Sequence, residues 1–371
     1  MGPLVAACDR RGGLSRRPPR LLGALLGAAA VVAALRPAPA ALHAGSGEPG
    51  AAPLEARVST EPFVTLSAVG DIRLDGPVAR IAAAHGPGAP VKDVLAWLDS
   101  DIVFGNLECA VTERGEAAAK EYTFRAPPDN LRILSAAGFT LLSVANNHVM
   151  DFGPQGMRDT LAALSRGGLL YAGAGPTARA ARRPVFIEKN GLRIGLLALT
   201  STLPEGNWAG PDSPGVAYSD FARVPEWVRA AKRDCDILIV SFHGGTQLAP
   251  EPNEVQRAFV RLAADAGADV ILGHHPHVVQ PVEVRGGALI LYSLGNFLFV
   301  SPTPGTERSF IARLRLSREG VRAEFVPVDV NYGRIREGGP EVRAAVREAL
   351  DRTGALTRDP EKLRLSPSAP N

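Results

Sequence analysis

Cysteine is scarce in this chain of 371 residues, with three in all, at positions 8, 109 and 235. That is too few for a disulfide scaffold or a cysteine-built zinc site, and it leaves open whether Cys109 and Cys235 pair. Aromatic residues make up only 6% of the chain. No G-x-G-x-x-G follows a predicted strand, which argues against a dinucleotide-binding Rossmann unit. The apolar run Leu21 to Leu35 has fifteen residues, short of the roughly 18 expected of a membrane-spanning helix. A net positive charge is also missing from most of the chain. Residues 1–40 hold six arginines against the single acid Asp9, a net of +5, so the formal total of +3 leaves the remainder near −2. No nucleic acid is expected as a partner.

Apolar residues at 46% and charged residues at 21% suit a globular protein, and 39 Gly with 31 Pro predict many turns. Residues 1–40 read as an export signal or an N-terminal membrane anchor. They have a basic start and the apolar run, and Ala38-Pro39-Ala40 resembles a small-residue cleavage site. Arg36, directly after the run, keeps the anchor as the rival. The protein is therefore expected to be exported and extracytoplasmic, either membrane-anchored or secreted. Residues 41–61, rich in Gly, Ala, Pro, Ser and Glu, read as a flexible linker. A single folded domain is expected over 62–332, with a C-terminal helix and a disordered tail over 333–371.

Within that domain, β-branched runs alternate with helical stretches before giving way to hairpins, one of them turned by Asn190-Gly191. This predicts an α/β or mixed sandwich. Five predicted strands end in polar clusters: Gly70-Asp71, Gly105-Asn106-Leu107-Glu108, Asn146-Asn147-His148, His243, and His274-His275-Pro276-His277. Open α/β sheets place their chemistry at the carboxyl ends of strands. Singly, each residue has a plain structural role open to it, as a turn former, a loop carboxylate or a core histidine. Together, Asp71, Glu108, Asn147, His243, His275 and His277 supply two carboxylates, an amide oxygen and three imidazoles. That donor set suits a two-metal hydrolytic site for Zn, Mn or Fe, in which two divalent transition metal ions acidify a shared water.

The motifs Gly70-Asp71, Gly105-Asn106-Leu107-Glu108, Asn146-Asn147-His148 with Asp151-Phe152-Gly153, Gly273 to His277, and Tyr292-Ser293-Leu294-Gly295-Asn296-Phe297 occur in register. Over roughly residues 63–300 they resemble the CapA-type poly-γ-glutamate capsule synthesis proteins, relatives of the calcineurin-like metallophosphoesterases. The resemblance implies an α/β (α+β) fold, a four-layer αββα metallophosphoesterase-like sandwich of two mixed sheets. It implies that Asp71 and His277 hold one ion and Asn147, His243 and His275 the other, with Glu108 bridging. It also makes His148 the acid that protonates a leaving group, with Asp151 orienting it or shaping the turn, and gives His274 a supporting role. The sequence departs from the phosphoesterase pattern where Asp71-Ile72-Arg73 replaces Asp-x-His, where Glu108 stands for an Asp, and where Gly244-Gly245-Thr246-Gln247 follows His243. Arg73, Arg125 and Lys120 are open to binding an anionic substrate or to being solvated surface charge.

The function so implied is a metal-dependent hydrolase acting in the synthesis, export or attachment of an anionic cell-envelope polymer such as poly-γ-glutamate. Its partners would include that polymer and a membrane capsule-synthesis complex. The alternatives are a non-catalytic assembly or polymer-binding component and a general extracytoplasmic phosphodiesterase.

Overall fold

In chain order, β1 (Val64–Ile72) and α1 (Gly76–His85) lead into β2 (Ile102–Leu107), α2 (Leu131–Ala136), β3 (Leu141–Ser143), α3 (Gly153–Arg166) and β4 (Leu170–Ala172). The hairpin of β5 (Val185–Lys189) and β6 (Leu192–Thr200) comes next, then α4 (Val224–Lys232), β7 (Ile237–His243), α5 (Glu254–Asp265) and β8 (Val270–His274). A second hairpin, β9 (Val282–Arg285) and β10 (Ala288–Leu291), precedes β11 (Arg308–Ser317), β12 (Gly320–Asn331), β13 (Arg334–Glu337), α6 (Pro340–Leu350) and β14 (Leu363–Arg364). The computed structural model describes residues 61–300, 302–356 and 363–365, so the expected leader at 1–40 and all but the last residue of the expected linker at 41–61 lie outside the described residues.

Local chemistry sets several of these boundaries. Proline stands in the first turn of α1, α3, α4 and α6, where its fixed φ suits the helix and its missing N–H is not needed. A capping box opens α5: Gln256 N–H donates to Asn253 Oδ1 at 3.0 Å, and Asn253 N–H donates to Gln256 Oε1 at 3.1 Å. Asn190 and Gly191 take φ of 50° and 77°, the left-handed pair that a two-residue hairpin turn requires.

The first sheet has eight strands in the order β13-β12-β11-β1-β2-β3-β4, with β14 added beside β12. The second has six, in the order β9-β10-β8-β7-β6-β5. Both are mixed. β1 to β4 run parallel, as do β6, β7, β8 and β10, with antiparallel neighbours toward the edges. Leu66, Ala68 and Phe104 of the first sheet meet Ile194, Ile239 and Leu272 of the second in one core between the sheets. α1, α2 and α3 cover the outer face of the first sheet through Val78, Leu134 and Met157. α4 and α5 cover the second through Val228 and Phe259, packed on Leu238, Val240 and Phe242. Because β7 and β8 are buried on both faces, they open on unbroken apolar runs, Ile237 to Val240 and Val270 to Leu272, instead of alternating ones. The fold is a four-layer αββα sandwich.

Several boundaries differ from the sequence reading. The stretch from Ala89 to Leu98, apolar enough to read as one helix, forms a 3-10 turn, Ala89–Val91, and one α turn, Leu95–Leu98. The third strand stops at Ser143, because the chain beyond it turns through a buried asparagine amide. β7 and β8 continue to His243 and His274, which pair with each other across the sheet. The first sheet runs on past residue 332, since β13 pairs with β12 from Val328↔Glu337 to Asn331↔Arg334. In the stretch expected to be a disordered tail, Leu363 and Arg364 pair with Phe325 and Glu324.

Candidate metal centre

Two close approaches of backbone shape the ends of the central strands. A Cβ at Gly70 would lie 1.9 Å from the carbonyl oxygen of Gly295, and one at Gly273 would lie 2.0 Å from that of Tyr292. Only glycine admits the segment Tyr292 to Phe297 against both strands. That segment bonds to each sheet: Asp71 N–H donates to Gly295 O at 3.0 Å, Phe297 N–H to Asp71 O at 2.9 Å, and Leu294 N–H to Gly273 O at 3.1 Å. The β1–β2 register also shifts between Ala68 and Asp71, an irregularity of the kind that re-aims a side chain.

The structure brings all six expected ligands together. Asp71, Glu108 and His243 are fully buried and His277 nearly so. Asp71, Glu108 and His277 offer donor atoms within 4.8 Å of one another, and so do Glu108, His243 and His275. Glu108 therefore belongs to both sets. Asn147 joins the second, its Oδ1 lying 2.8 Å from His243 Nε2, which is itself 3.4 Å from Glu108 Oε1. His275 and His277 sit at φ of 97° and 60°. This unfavourable left-handed backbone turns both imidazoles to one side of the chain, and such strain concentrates at functional sites.

Both oxygens of Asp71 are contacted. Its Oδ1 accepts from Asn106 Nδ2 at 2.9 Å and lies 3.3 Å from His274 Nδ1. Its Oδ2 accepts from the His275 N–H at 3.2 Å and lies 3.2 Å from His277 Nδ1. Burial alone would raise its carboxyl, but hydrogen bonds and charge from His274 and His277 outweigh that and hold it well below the usual range. His277 Nδ1–H donates to Asn296 Oδ1 at 2.9 Å, which leaves Nε2 as the ring atom open to a ligand. Burial lowers the His277 imidazole, yet Glu108, Asp71 and Asn296 together push it up to about 9. Burial drives His243 and His275 well down, into the neutral form that binds metals.

Glu108 is different. Neither carboxylate oxygen has a hydrogen-bond partner, and His275 Nδ1 is likewise buried and unpartnered. Burial, then the charge of Asp71, pushes the Glu108 carboxyl up to about 7. A buried carboxylate without donors is costly, and divalent cation binding among carboxylate, amide and imidazole would offset it. Both donor sets are of the kind that holds a divalent metal ion, and Glu108 is common to them.

His148 and Asp151 form a second cluster against the first. His148 Nδ1–H donates to Asp151 Oδ2 at 2.7 Å, so the ring presents Nε2 toward Glu108 Oε1, 3.9 Å away. Phe124 stacks on the His148 ring at 4.0 Å, and the Arg73 guanidinium lies 3.8 Å from the Phe124 centroid. Arg73 gives two N–H groups to Asp75, at 2.7 and 2.8 Å. Arg125 is exposed and lies over the ring of Phe152, 4.4 Å from its centroid. Cys109 and Cys235 are both free thiols.

The sequence reading assigned no role to Asn106 and Asn146. Asn106 ties Asp71 to the second donor set, since its Nδ2 also lies 3.1 Å from His243 Nδ1. Asn146 Nδ2 donates to Asn106 Oδ1 and Leu107 O, and its Oδ1 accepts the N–H groups of His148 and Val149. The available signal was an asparagine inside an otherwise apolar strand, Ile102 to Leu107, where a buried amide needs partners.

The family profile described as "Bacterial capsule synthesis protein PGA_cap" matches residues 65–301. The "PGA biosynthesis protein CapA" of Bacillus subtilis (strain 168) is 35% identical over 277 residues, covering 73% of this chain and 73% of that one. The "Capsule biosynthesis protein CapA" of Bacillus anthracis is 31% identical over 312 residues, covering 81% of this chain and 74% of that one. Among solved structures, the calcineurin-like phosphoesterase YfkN from Bacillus subtilis superposes with a TM-score of 0.39 at 13% identity, over 75% of this chain and 89% of that one. At that distance the sheet order above, and not the superposition, establishes the fold.

Proposed function

The chain belongs to the family of bacterial capsule synthesis proteins, and from that membership and the geometry of the centre we propose that it is an exported hydrolase. It would hold two divalent transition ions, Zn, Mn or Fe, and act on a phosphoester or amide of an anionic envelope polymer of the poly-γ-glutamate kind. The observation that carries this reading is Glu108: fully buried, without hydrogen-bond donors, and common to two donor sets. Export rests on the basic and apolar leader. Among the described residues, no helix is long and apolar enough to cross a membrane.

When bound, the ions would supply an acidified water and offset negative charge that builds up on the substrate. Asp71 and His277 would hold one, and Asn147, His243 and His275 the other. The protein's own part in the reaction falls to His148. Asp151 holds its Nδ1 and Phe124 fixes the ring plane, so Nε2 is the atom that faces the centre and delivers a proton to the departing group. Arg73, whose guanidinium Phe124 and Asp75 hold in place, is the cation positioned to attract an anionic substrate toward the pocket.

A second reading has one observation in its favour. Arg73 stands where phosphoesterases carry a further histidine, and its fork is turned to Asp75. The Asp71 side therefore offers two carboxylates and one imidazole, and a single-ion, polymer-binding assembly component would need no more. Elemental analysis of the purified protein separates the two readings. About two transition ions per chain, lost in His275→Ala and Asn147→Ala variants that remain folded, supports the hydrolase. One ion or none, unchanged in those variants, rejects it. His148→Ala is expected to keep its ions and lose turnover, and a fully active variant removes His148 from the mechanism.

A further inference from the structure

We propose that Lys120 is a positioning residue of the metal centre, holding the Asn147 turn in the shape that presents its side-chain oxygen to an ion. This rests on the reading of Asn147 as a ligand and adds a residue to it. Lys120 lies 27 positions earlier in the chain, on the loop that separates the short paired segments Ala110–Val111 and Arg125–Ala126. Its ammonium donates to the Asn147 carbonyl oxygen at 2.8 Å and forms an ion pair with Asp151 Oδ1. It also lies 3.2 Å from His148 Nδ1. That nitrogen already gives its hydrogen to Asp151 Oδ2, so this last approach is a contact within the cluster and not a further hydrogen bond.

The loop is built to deliver this ammonium. Ala118 N–H donates to Asp151 O at 2.8 Å, Lys120 N–H to Ala118 O at 2.8 Å, and Phe124 N–H to Asp151 Oδ2 at 2.7 Å. Lys120 is about three-quarters buried and Asp151 wholly so. An ion pair in that position is a built feature and not a passing surface contact. The turn from 146 to 148 is then held from two directions. Asn146 Oδ1 takes the N–H groups that follow it, and Lys120 takes the carbonyl of Asn147. The orientation of the Asn147 peptide follows, and with it the 2.8 Å approach of Asn147 Oδ1 to His243 Nε2. A bound ion would draw on the Asn147 amide from one side, and Lys120 holds the backbone from the other.

The test is titration of the full chain with Mn2+ alone, followed by calorimetry, for wild type, Lys120→Met, Asn147→Ala and the double variant. Supporting groups behind a ligand typically contribute about 10–100-fold to metal affinity, and a loss of that size is expected for Lys120→Met. Lys120→Arg should recover most of it, since it restores a cation against Asp151. The decisive readout is coupling. If Lys120 acts through Asn147, the double variant binds no more weakly than Asn147→Ala alone, whereas a general structural role gives losses that multiply. Should Lys120→Met fail to fold, Lys120→Gln goes through the same cycle. A folded Lys120 variant with wild-type affinity, or multiplying losses, overturns the inference while the ligand assignment stands. A wild type that binds no Mn2+ overturns both.

Discussion

Replacing Glu108 by Gln should stabilise the metal-free protein and, in the same experiment, abolish its stabilisation by metal. The carboxyl is fully buried, has no donor on either oxygen, and is pushed from 4.5 to about 7 by burial and by the charge of Asp71. At 1.36 kcal/mol per pKa unit, that displacement amounts to on the order of 3 kcal/mol. The folded-state value lies above the unfolded one, so the metal-free fold is favoured most while Glu108 is protonated, below about pH 4.5. It loses those ~3 kcal/mol as the pH climbs to 7 and gains nothing back above it. Gln keeps the shape and cannot ionise. For roughly 300 ordered residues, an unfolding entropy near 2.1 cal/mol/K per residue turns ~3 kcal/mol into a rise of about 5 °C in Tm. The assay is thermal unfolding at pH 8 and at pH 4.5, in chelator and in excess Mn2+. In chelator at pH 8 the variant should melt above wild type, and at pH 4.5 the gap should close. In Mn2+ at pH 8 the order should invert, because the neutral amide cannot bridge two cations. A variant that melts below wild type in chelator at pH 8, or that gains as much from Mn2+, would refute the account of Glu108 as an unpaired buried bridge.

Other sites give independent checks. Gly273→Ala sets a Cβ 2.0 Å from a main-chain oxygen, whereas Gly206 has nothing within 4 Å of its Cβ position. The first should cost about 2 kcal/mol or more in urea unfolding and release bound metal, and the second should be near neutral. Burial pushes the Cys109 thiol up to about 12 and that of Cys235 up to about 11. Both should therefore react slowly with an aromatic disulfide reagent at pH 8 in the folded protein and rapidly after denaturation, and fast reaction of the buried Cys109 in the native state contradicts its burial. Phe259 is fully buried and stacks on Phe242 at 3.9 Å, so Phe259→Ala should lose about 3–5 kcal/mol by denaturant titration without changing metal content.

The histidine-rich turn, the apolar strands before each polar cluster and the two hairpins were all legible in the sequence, because periodicity, Asn-Gly turns and strand-end polarity are local signals. The grouping of Asp71 with His277 was legible only through the motifs taken together, since 206 positions separate them. What stayed hidden was non-local or conformational. Asn106 looks like a strand-end turn former until its amide is seen between Asp71 and His243. Lys120 reads as one more charge on a polar loop, and its meaning lies in a carbonyl oxygen 27 residues away. The continuation of the first sheet through Arg334–Glu337 was missed because that strand, Arg-Ile-Arg-Glu, buries only Ile335. The left-handed backbone at His275 and His277 could not be inferred from residues that ordinarily avoid it.

The segment Ser293 to Phe297 has a consequence beyond local packing. Asp71, Glu108 and Asn147 come from the first sheet and the loops at its strand ends, and His243, His275 and His277 from the second, so the centre straddles a seam. Main-chain bonds from this one segment reach Asp71 on one side and Gly273 on the other. The spacing of the two half-sites is thus keyed to peptide groups, whose dimensions no substitution alters. Side chains in either core can drift without moving one half-site against the other, while inserting or deleting a single residue between 293 and 297 would put them out of step.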